Sequence, residues 1–211
     1  MKVTLLHHTP LHICSHAIRT CYNSFDKSDN GGEKDKALIY KVGNKLKHSS
    51  TLEHLNMNFF IQGISRACLQ ELVRHRHASL SVKSSRYTLA ELKRIPDIDP
   101  MDLATVSGYC VLTDCVHTNK VIVKALIELQ YLVKLNVPND KSKYALPEAY
   151  KTDLTWTINI RSLQNCISLR THPTALWEIN DLAKLILNTA PKDYIYLLED
   201  SLYKKPTEKE T

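Results

Sequence analysis

Glycine is scarce, with five in 211 residues, and aromatic residues make up only 7% of the chain. No G-x-G-x-x-G or Walker loop occurs, so any dinucleotide held here would rest on arginines and amides instead of a Rossmann turn. No stretch reaches the roughly 20 uncharged apolar residues needed to span a bilayer. The opening MKVTLLHHTP lacks the apolar run of a signal peptide, so neither export nor membrane insertion is expected. The six cysteines (Cys14, Cys21, Cys68, Cys110, Cys115, Cys166) include no C-x-x-C pair and read as reduced thiols of a cytoplasmic protein. Cys68 and Cys166 lie in apolar helical patterns and read as core.

The most informative absence is local. No acidic residue lies between Glu71 and Glu91, or from Leu154 to Trp177, although the net charge is only +6. Five of the eight arginines (Arg74, Arg76, Arg86, Arg161, Arg170) fall in these two windows. Basic groups without neighbouring carboxylates are available to an anionic ligand.

What is present reads as an ordinary globular chain, 43% hydrophobic and 24% charged, with room for one substantial core. A single domain over 1–203 is expected, followed by a polar tail at 204–211 (KKPTEKET) with little to bury. Apolar spacing predicts helices over 10–22, 33–47 and 64–76, then one or two over 101–136, broken near Gly108 or Thr118. Further helices are predicted over 161–170, 174–190 and 193–203. Alternation predicts strands over 54–62 and 154–160, with a short one at 87–92. Gly63 reads as a break, and the serine-rich 77–86 as a loop. Few strands among many helices give an α+β class. His8, His12 and His16 share an i, i+4 spacing, but no carboxylate or cysteine completes a metal site.

As bare chemistry, residues 74–86 present Arg-His-Arg, then a serine-rich segment closing with Lys-Ser-Ser-Arg. Arginine forks bind phosphate bidentately, and serine hydroxyls and loop amides add donors. The same run also fits a solvated basic helix end, or a module in which Arg74–Arg86 tracks nucleic-acid phosphates while Tyr87 stacks on a base.

RHRHASLSVKSSRY at 74–87 closely resembles the signature of flavin-dependent thymidylate synthases, with Arg74, His75, Arg76, Ser79, Ser84, Arg86 and Tyr87 in register. HSSTLEH at 48–54, YALPEAY at 144–150 and NIRSLQNCISLR at 159–170 resemble further blocks of that family in the same order. The resemblance runs from about residue 10 to 200. It implies a small, mostly antiparallel sheet flanked by helices, in a homotetramer whose active sites lie between subunits. It also implies FAD, NADPH as reductant, and 5,10-methylenetetrahydrofolate as carbon donor for methylation of dUMP to dTMP, with no nucleic-acid or membrane partner.

Residue roles follow from the same resemblance. Ser50, Arg74, His75, Arg76, Val82, Asn159, Arg161 and Asn165 would contact FAD, Ser50 from a neighbouring subunit. Glu71, Arg74, Val82, Lys83, Ser84, Ser85, Arg86, Lys143 and Arg170 would contact dUMP, and Arg170 would activate the uracil. The chain departs from the family pattern at Ser81, Val82, Thr174 and Leu176, and carries Glu71 for a frequent Gln and Lys143 for a frequent Arg. A flavin-binding scaffold without catalysis is the alternative that Thr174 and Leu176 raise. In a regular helix Arg161 and Asn165 share a face, whereas Arg170 falls roughly opposite.

Overall fold

The computed structural model describes residues 1–205, so the expected tail lies outside the described residues apart from Lys204 and Lys205. In chain order the regular elements are β1 (Lys2–His8), α1 (Leu11–Thr20), α2 (Glu33–Ile39), β2 (Asn56–Ser65), α3 (Arg66–Leu72), β3 (Ala78–Val82) and α4 (Ser85–Thr88). They continue as α5 (Leu103–Tyr109), α6 (Val116–Lys134), α7 (Asn139–Ser142), β4 (Lys151–Asn159), α8 (Ile160–Arg170), α9 (Trp177–Thr189) and α10 (Ile195–Leu198).

The strands form one sheet of order β1-β2-β4-β3. Thr9 N–H, just past β1, donates to the Asn56 carbonyl at the start of β2 (2.9 Å). Asn58, early in β2, donates to Thr157 Oγ1, late in β4 (2.6 Å), and Lys83 N–H, after β3, donates to the Asp153 carbonyl at the start of β4 (2.8 Å). Ends meet starts in each pair, so all three are antiparallel. This is the α+β fold that the few strands and many helices predict.

The chain divides into two compact units. The first takes residues Met1–Ile61, Leu72–Leu80 and those from Thr155 onward. Its core includes Ile39, Leu52, Leu55, Met57, Phe59, Trp156, Ile158, Leu163 and Tyr194, all essentially solvent-free. Alternation along β4 buries Leu154, Trp156 and Ile158 on one face, as the LTWTINI pattern predicts. Arg19 of α1 and Asp35 of α2 form a buried ion pair at 2.6 Å. A π-helical turn, Tyr40–Lys45, follows α2, and Gly43 within it lies flat against Leu52. A Cβ at Gly43 would sit 2.7 Å from Leu52 Cδ2, so a larger residue there would force the buried Leu52 side chain to shift. That contact seats the 3-10 turn Ser49–His54.

The second unit takes Gln62–Glu71 and Ser81–Leu154. Its core lies along α6, which buries Ile122, Val123, Leu126, Leu129 and Val133 at helical spacing against Leu89, Leu92 and Val106. Gln130 on the same face is buried but satisfied: its amide donates to the Leu92 and Pro96 carbonyls and accepts from Ile98 N–H.

Several expectations are corrected. Strand β2 continues through Gly63, whose φ of +71° suits glycine and whose N–H donates to the Asp153 carboxylate (2.8 Å); α3 is correspondingly short. The serine-rich segment forms strand β3 because Ala78, Leu80 and Val82 alternate with exposed Ser79 and Ser81. Residues 87–92 form helical turns (α4, then Leu89–Lys93) instead of a strand. The 101–136 region forms two helices with the break after Tyr109, next to the expected Gly108, whereas 193–203 is a chain of short turns around α10 instead of one helix. Strand β1 has no counterpart among the expectations, since KVTLLHH does not alternate cleanly. His8 sits on β1, while His12 and His16 lie on α1.

Candidate active site

In the first unit three segments converge on a cleft of about 640 Å³. The 3-10 turn contributes Glu53, the turn after α3 contributes Arg74, His75, Arg76 and His77, and the start of α8 contributes Asn159, Arg161, Ser162 and Asn165. Helix α8 begins there because Asn159 caps it, its Oδ1 accepting from Ser162 N–H at 2.8 Å. The helix therefore presents its positive end to the same space as three arginines.

Within Arg-His-Arg the two arginines are exposed and the histidine is 6% exposed. His75 N–H donates to the Leu72 carbonyl (3.1 Å), closing the turn and sending its ring inward. Arg170 Nε, on the last residue of α8, donates to His75 Nε2 at 2.9 Å. Arg161 Nη1 donates to Glu53 Oε1 at 2.7 Å, with both side chains about half exposed. Between the arginines on α8, Cys166 is buried, and that burial pushes its thiol up to about 12 despite the nearby Arg170 charge. It is a neutral core side chain, as its apolar surroundings predict.

The serine-lysine segment lies in the second unit. Lys83 is paired there with Glu91 (3.2 Å), and Tyr150 Oη donates to the same carboxylate (3.1 Å). Ser84 and Arg86 are exposed and Ser85 is buried. Arg86 lies over the Tyr87 ring (5.8 Å), and its carbonyl accepts from Asn139 Nδ2 (2.9 Å). Lys143 is half-buried and opens the 3-10 turn Lys143–Ala145. Glu71 lies in the last turn of α3.

Six of the eight residues expected at a flavin therefore share one cleft: Arg74, His75, Arg76, Asn159, Arg161 and Asn165. Ser50 and Val82 do not line it; Ser50 is exposed on the 3-10 turn and Val82 ends β3. Glu53, His77 and Ser162 line it without having been expected. Glu53 lies in the same HSSTLEH segment as Ser50, so the segment carried the signal although not the residue. The premise that acid-free windows leave cations unpaired is corrected: Glu53 meets Arg161 from 108 positions away, and Glu91 reaches back to Lys83. His172, close to the Thr174 departure, is engaged locally: its Nδ1 lies 2.7 Å from Thr174 Oγ1 and its ring meets Tyr203 edge-on.

Comparison with known proteins supplies the remaining step. The family profile described as thymidylate synthase complementing protein matches residues 4–193. The chain is 58% identical to the flavin-dependent thymidylate synthase of Wolinella succinogenes over 197 residues, covering 93% of this chain and 97% of that protein. It is 54% identical to that of Campylobacter jejuni, covering 97% and 99%. The crystal structure of the flavin-dependent thymidylate synthase from Helicobacter pylori, complexed with FAD and dUMP, superimposes with a TM-score of 0.93 at 52% identity, covering 96% of this chain and all of that one. A basic cleft built from the family's signature residues, on the family's fold, over nearly the full length of the chain, leaves one assignment: the chain belongs to the thymidylate synthase complementing family, the flavin-dependent thymidylate synthases.

Proposed function

We infer that this protein is a flavin-dependent thymidylate synthase, which methylates dUMP to dTMP with 5,10-methylenetetrahydrofolate as carbon donor and FAD, reduced by NADPH, as hydride carrier. The observation that carries the reading is the cleft itself, with Arg74, Arg76, Arg161 and the N-terminus of α8 facing one space. The donor set fits FAD: guanidinium forks and helix amides suit a pyrophosphate, and Asn159 and Asn165 suit hydroxyls and ring heteroatoms. The flavin, when bound, would supply the hydride of the reductive methylation.

The chain's own residues then have distinct tasks. Arg74 and Arg76 hold the flavin, and Arg161 joins them by exchanging its Glu53 contact for an anion. Lys83, Ser84, Ser85 and Arg86 hold the dUMP phosphate, with Tyr150 and Glu91 keeping Lys83 in place. Glu71, Val82 and Lys143 complete the nucleotide site. Arg170 binds the uracil, and its guanidinium stabilises the negative charge that makes C5 nucleophilic. No protein nucleophile enters this scheme, which accords with Cys166 being buried as a neutral thiol.

Ser50 would reach a flavin held by another subunit, so the active form is a homotetramer with folate entering at shared sites. Among the described residues no helix is long and apolar enough to cross a membrane, which is compatible with a cytoplasmic enzyme. The test is an absorbance spectrum of freshly purified protein together with its sedimentation. Flavin bands on a tetramer support the reading. A colourless protein that fails to take up added FAD, or a fully active monomer, counts against it.

A further inference from the structure

We propose that His75 is a positioning residue for Arg170, a neutral hydrogen-bond acceptor that fixes the plane of the guanidinium presented to the uracil. The proposal rests on the reading of Arg170 given above. It starts from a contrast inside one tripeptide: Arg74 and Arg76 face solvent and the cleft, while His75 turns inward to 6% exposure. There its Nε2 meets Arg170 Nε at 2.9 Å, across 95 positions of sequence.

The chemistry of the two groups fixes the direction of this bond. An arginine Nε carries one hydrogen and has no acceptor capacity, and the guanidinium stays charged at any physiological pH. Nε2 must therefore accept, so the imidazole is neutral and holds its proton on Nδ1. An imidazolium would place a donor against a donor and a cation against a cation.

The consequence is geometric. The guanidinium is planar, and its Nε–H lies in the plane, so anchoring Nε limits rotation of the whole fork. Arg170 is the last residue of α8 and is only partly buried, so the bond to His75 holds its Nε from the inward side of the helix end. His75 also lines the cleft that holds Arg74, Arg76 and Arg161. One imidazole thus ties the orientation of the uracil-binding arginine to the wall of the flavin cleft.

The experiment compares His75→Leu and His75→Gln in the purified holoenzyme, with Arg170→Lys alongside. Leu keeps the volume and removes the acceptor. Gln places Oε1 close to the position of Nε2 and restores an acceptor without an ionisable ring. The readouts are bound flavin, NADPH-driven flavin reduction, and kcat and KM for dTMP formation from dUMP. We expect His75→Leu to lose on the order of 10² in kcat/KM for dUMP while Arg74, Arg76 and Arg161 still hold a reducible flavin, since displacement of a positioned group by about 1 Å has that effect. His75→Gln should recover most of the loss.

Wild-type turnover in His75→Leu overturns the proposal. So does a Gln variant as inactive as Leu with its flavin intact, because the acceptor alone then has no role. Loss of flavin in both variants also overturns it and makes His75 a cofactor ligand. If His75→Leu does not fold, the Gln variant decides alone: activity with flavin bound supports an acceptor, and inactivity with flavin bound rejects it. Near-normal dTMP formation by Arg170→Lys would instead undo the underlying reading of Arg170.

Discussion

Replacing Asp35 by Asn perturbs a site in which every polar atom is accounted for. Asp35 is fully buried; its Oδ1 accepts from Arg19 Nε (3.2 Å) and Nη2 (2.6 Å), and its Oδ2 accepts from Ser28 Oγ (2.7 Å) and Gly31 N–H (3.0 Å). An asparagine has one acceptor oxygen, so its NH₂ must face either the Arg19 guanidinium or Gly31 N–H, donor against donor. The larger effect is that Arg19, itself 6% exposed, keeps a buried charge with no counter-ion. Removing one partner of a buried pair costs about 3–5 kcal/mol. For a chain of this size each kcal/mol lowers Tm by about 2–4 °C, so the variant should melt about 6–20 °C below wild type at pH 7. Burial opposes ionisation of Asp35, but the hydrogen bonds from Ser28, Arg19 and Gly31 outweigh it and hold the carboxyl well below its usual range. The folded-state value is depressed, so this stabilisation is complete above the ordinary Asp value of about 3.9 and is lost as pH falls towards the folded one. Calorimetry of both proteins from pH 7 to pH 3 should show the gap narrowing below about pH 4. A gap under 2 °C at pH 7, or one that widens on acidification, would refute the reasoning.

Two further outcomes are expected. Arg76→Ala should weaken FAD retention by about tenfold, the low end of the roughly 1.5–3 kcal/mol for a charge-assisted bond because Arg76 is exposed; unchanged flavin affinity by titration would remove it from the site. Brief alkylation of the native protein should label Cys21 and Cys115, which are exposed, and spare Cys14, Cys110 and Cys166, whose thiols burial pushes up to about 12. Peptide mass spectrometry showing Cys166 labelled as fast as Cys115 would contradict that burial.

How far the sequence can be read depends on the range of the interaction. Strand β4 and the helix bearing Arg161, Asn165 and Arg170 are legible because periodicity and capping act over a few residues, whereas the helix expected over 64–76 stops at Leu72 and leaves Arg-His-Arg in the turn that follows. Six flavin candidates sharing one cleft follow from family signature residues on those elements. Strand β3 eludes the reading because its serines signal a loop more strongly than Ala78, Leu80 and Val82 signal alternation. The ion pair of Glu53 with Arg161 and the bond from Arg170 to His75 are not legible at all. Local acid content says nothing about a carboxylate or imidazole brought in from roughly a hundred positions away, and only the folded chain joins them.

The central claim is that Arg170 activates the uracil while a flavin held in the cleft of Arg74, Arg76 and Arg161 carries the hydride. The most direct measurement is dTMP formation by wild type and by Arg170→Lys, with NADPH-driven flavin reduction followed in the same samples. Lysine keeps the charge and loses the planar fork, so two hydrogen bonds to a pyrimidine edge cannot both form. The account predicts that wild type forms dTMP, and that Arg170→Lys keeps reducible flavin while its dTMP rate falls by about 10²–10³. Near-normal dTMP formation by Arg170→Lys, or a wild-type protein that binds and reduces flavin yet makes no dTMP, would contradict it.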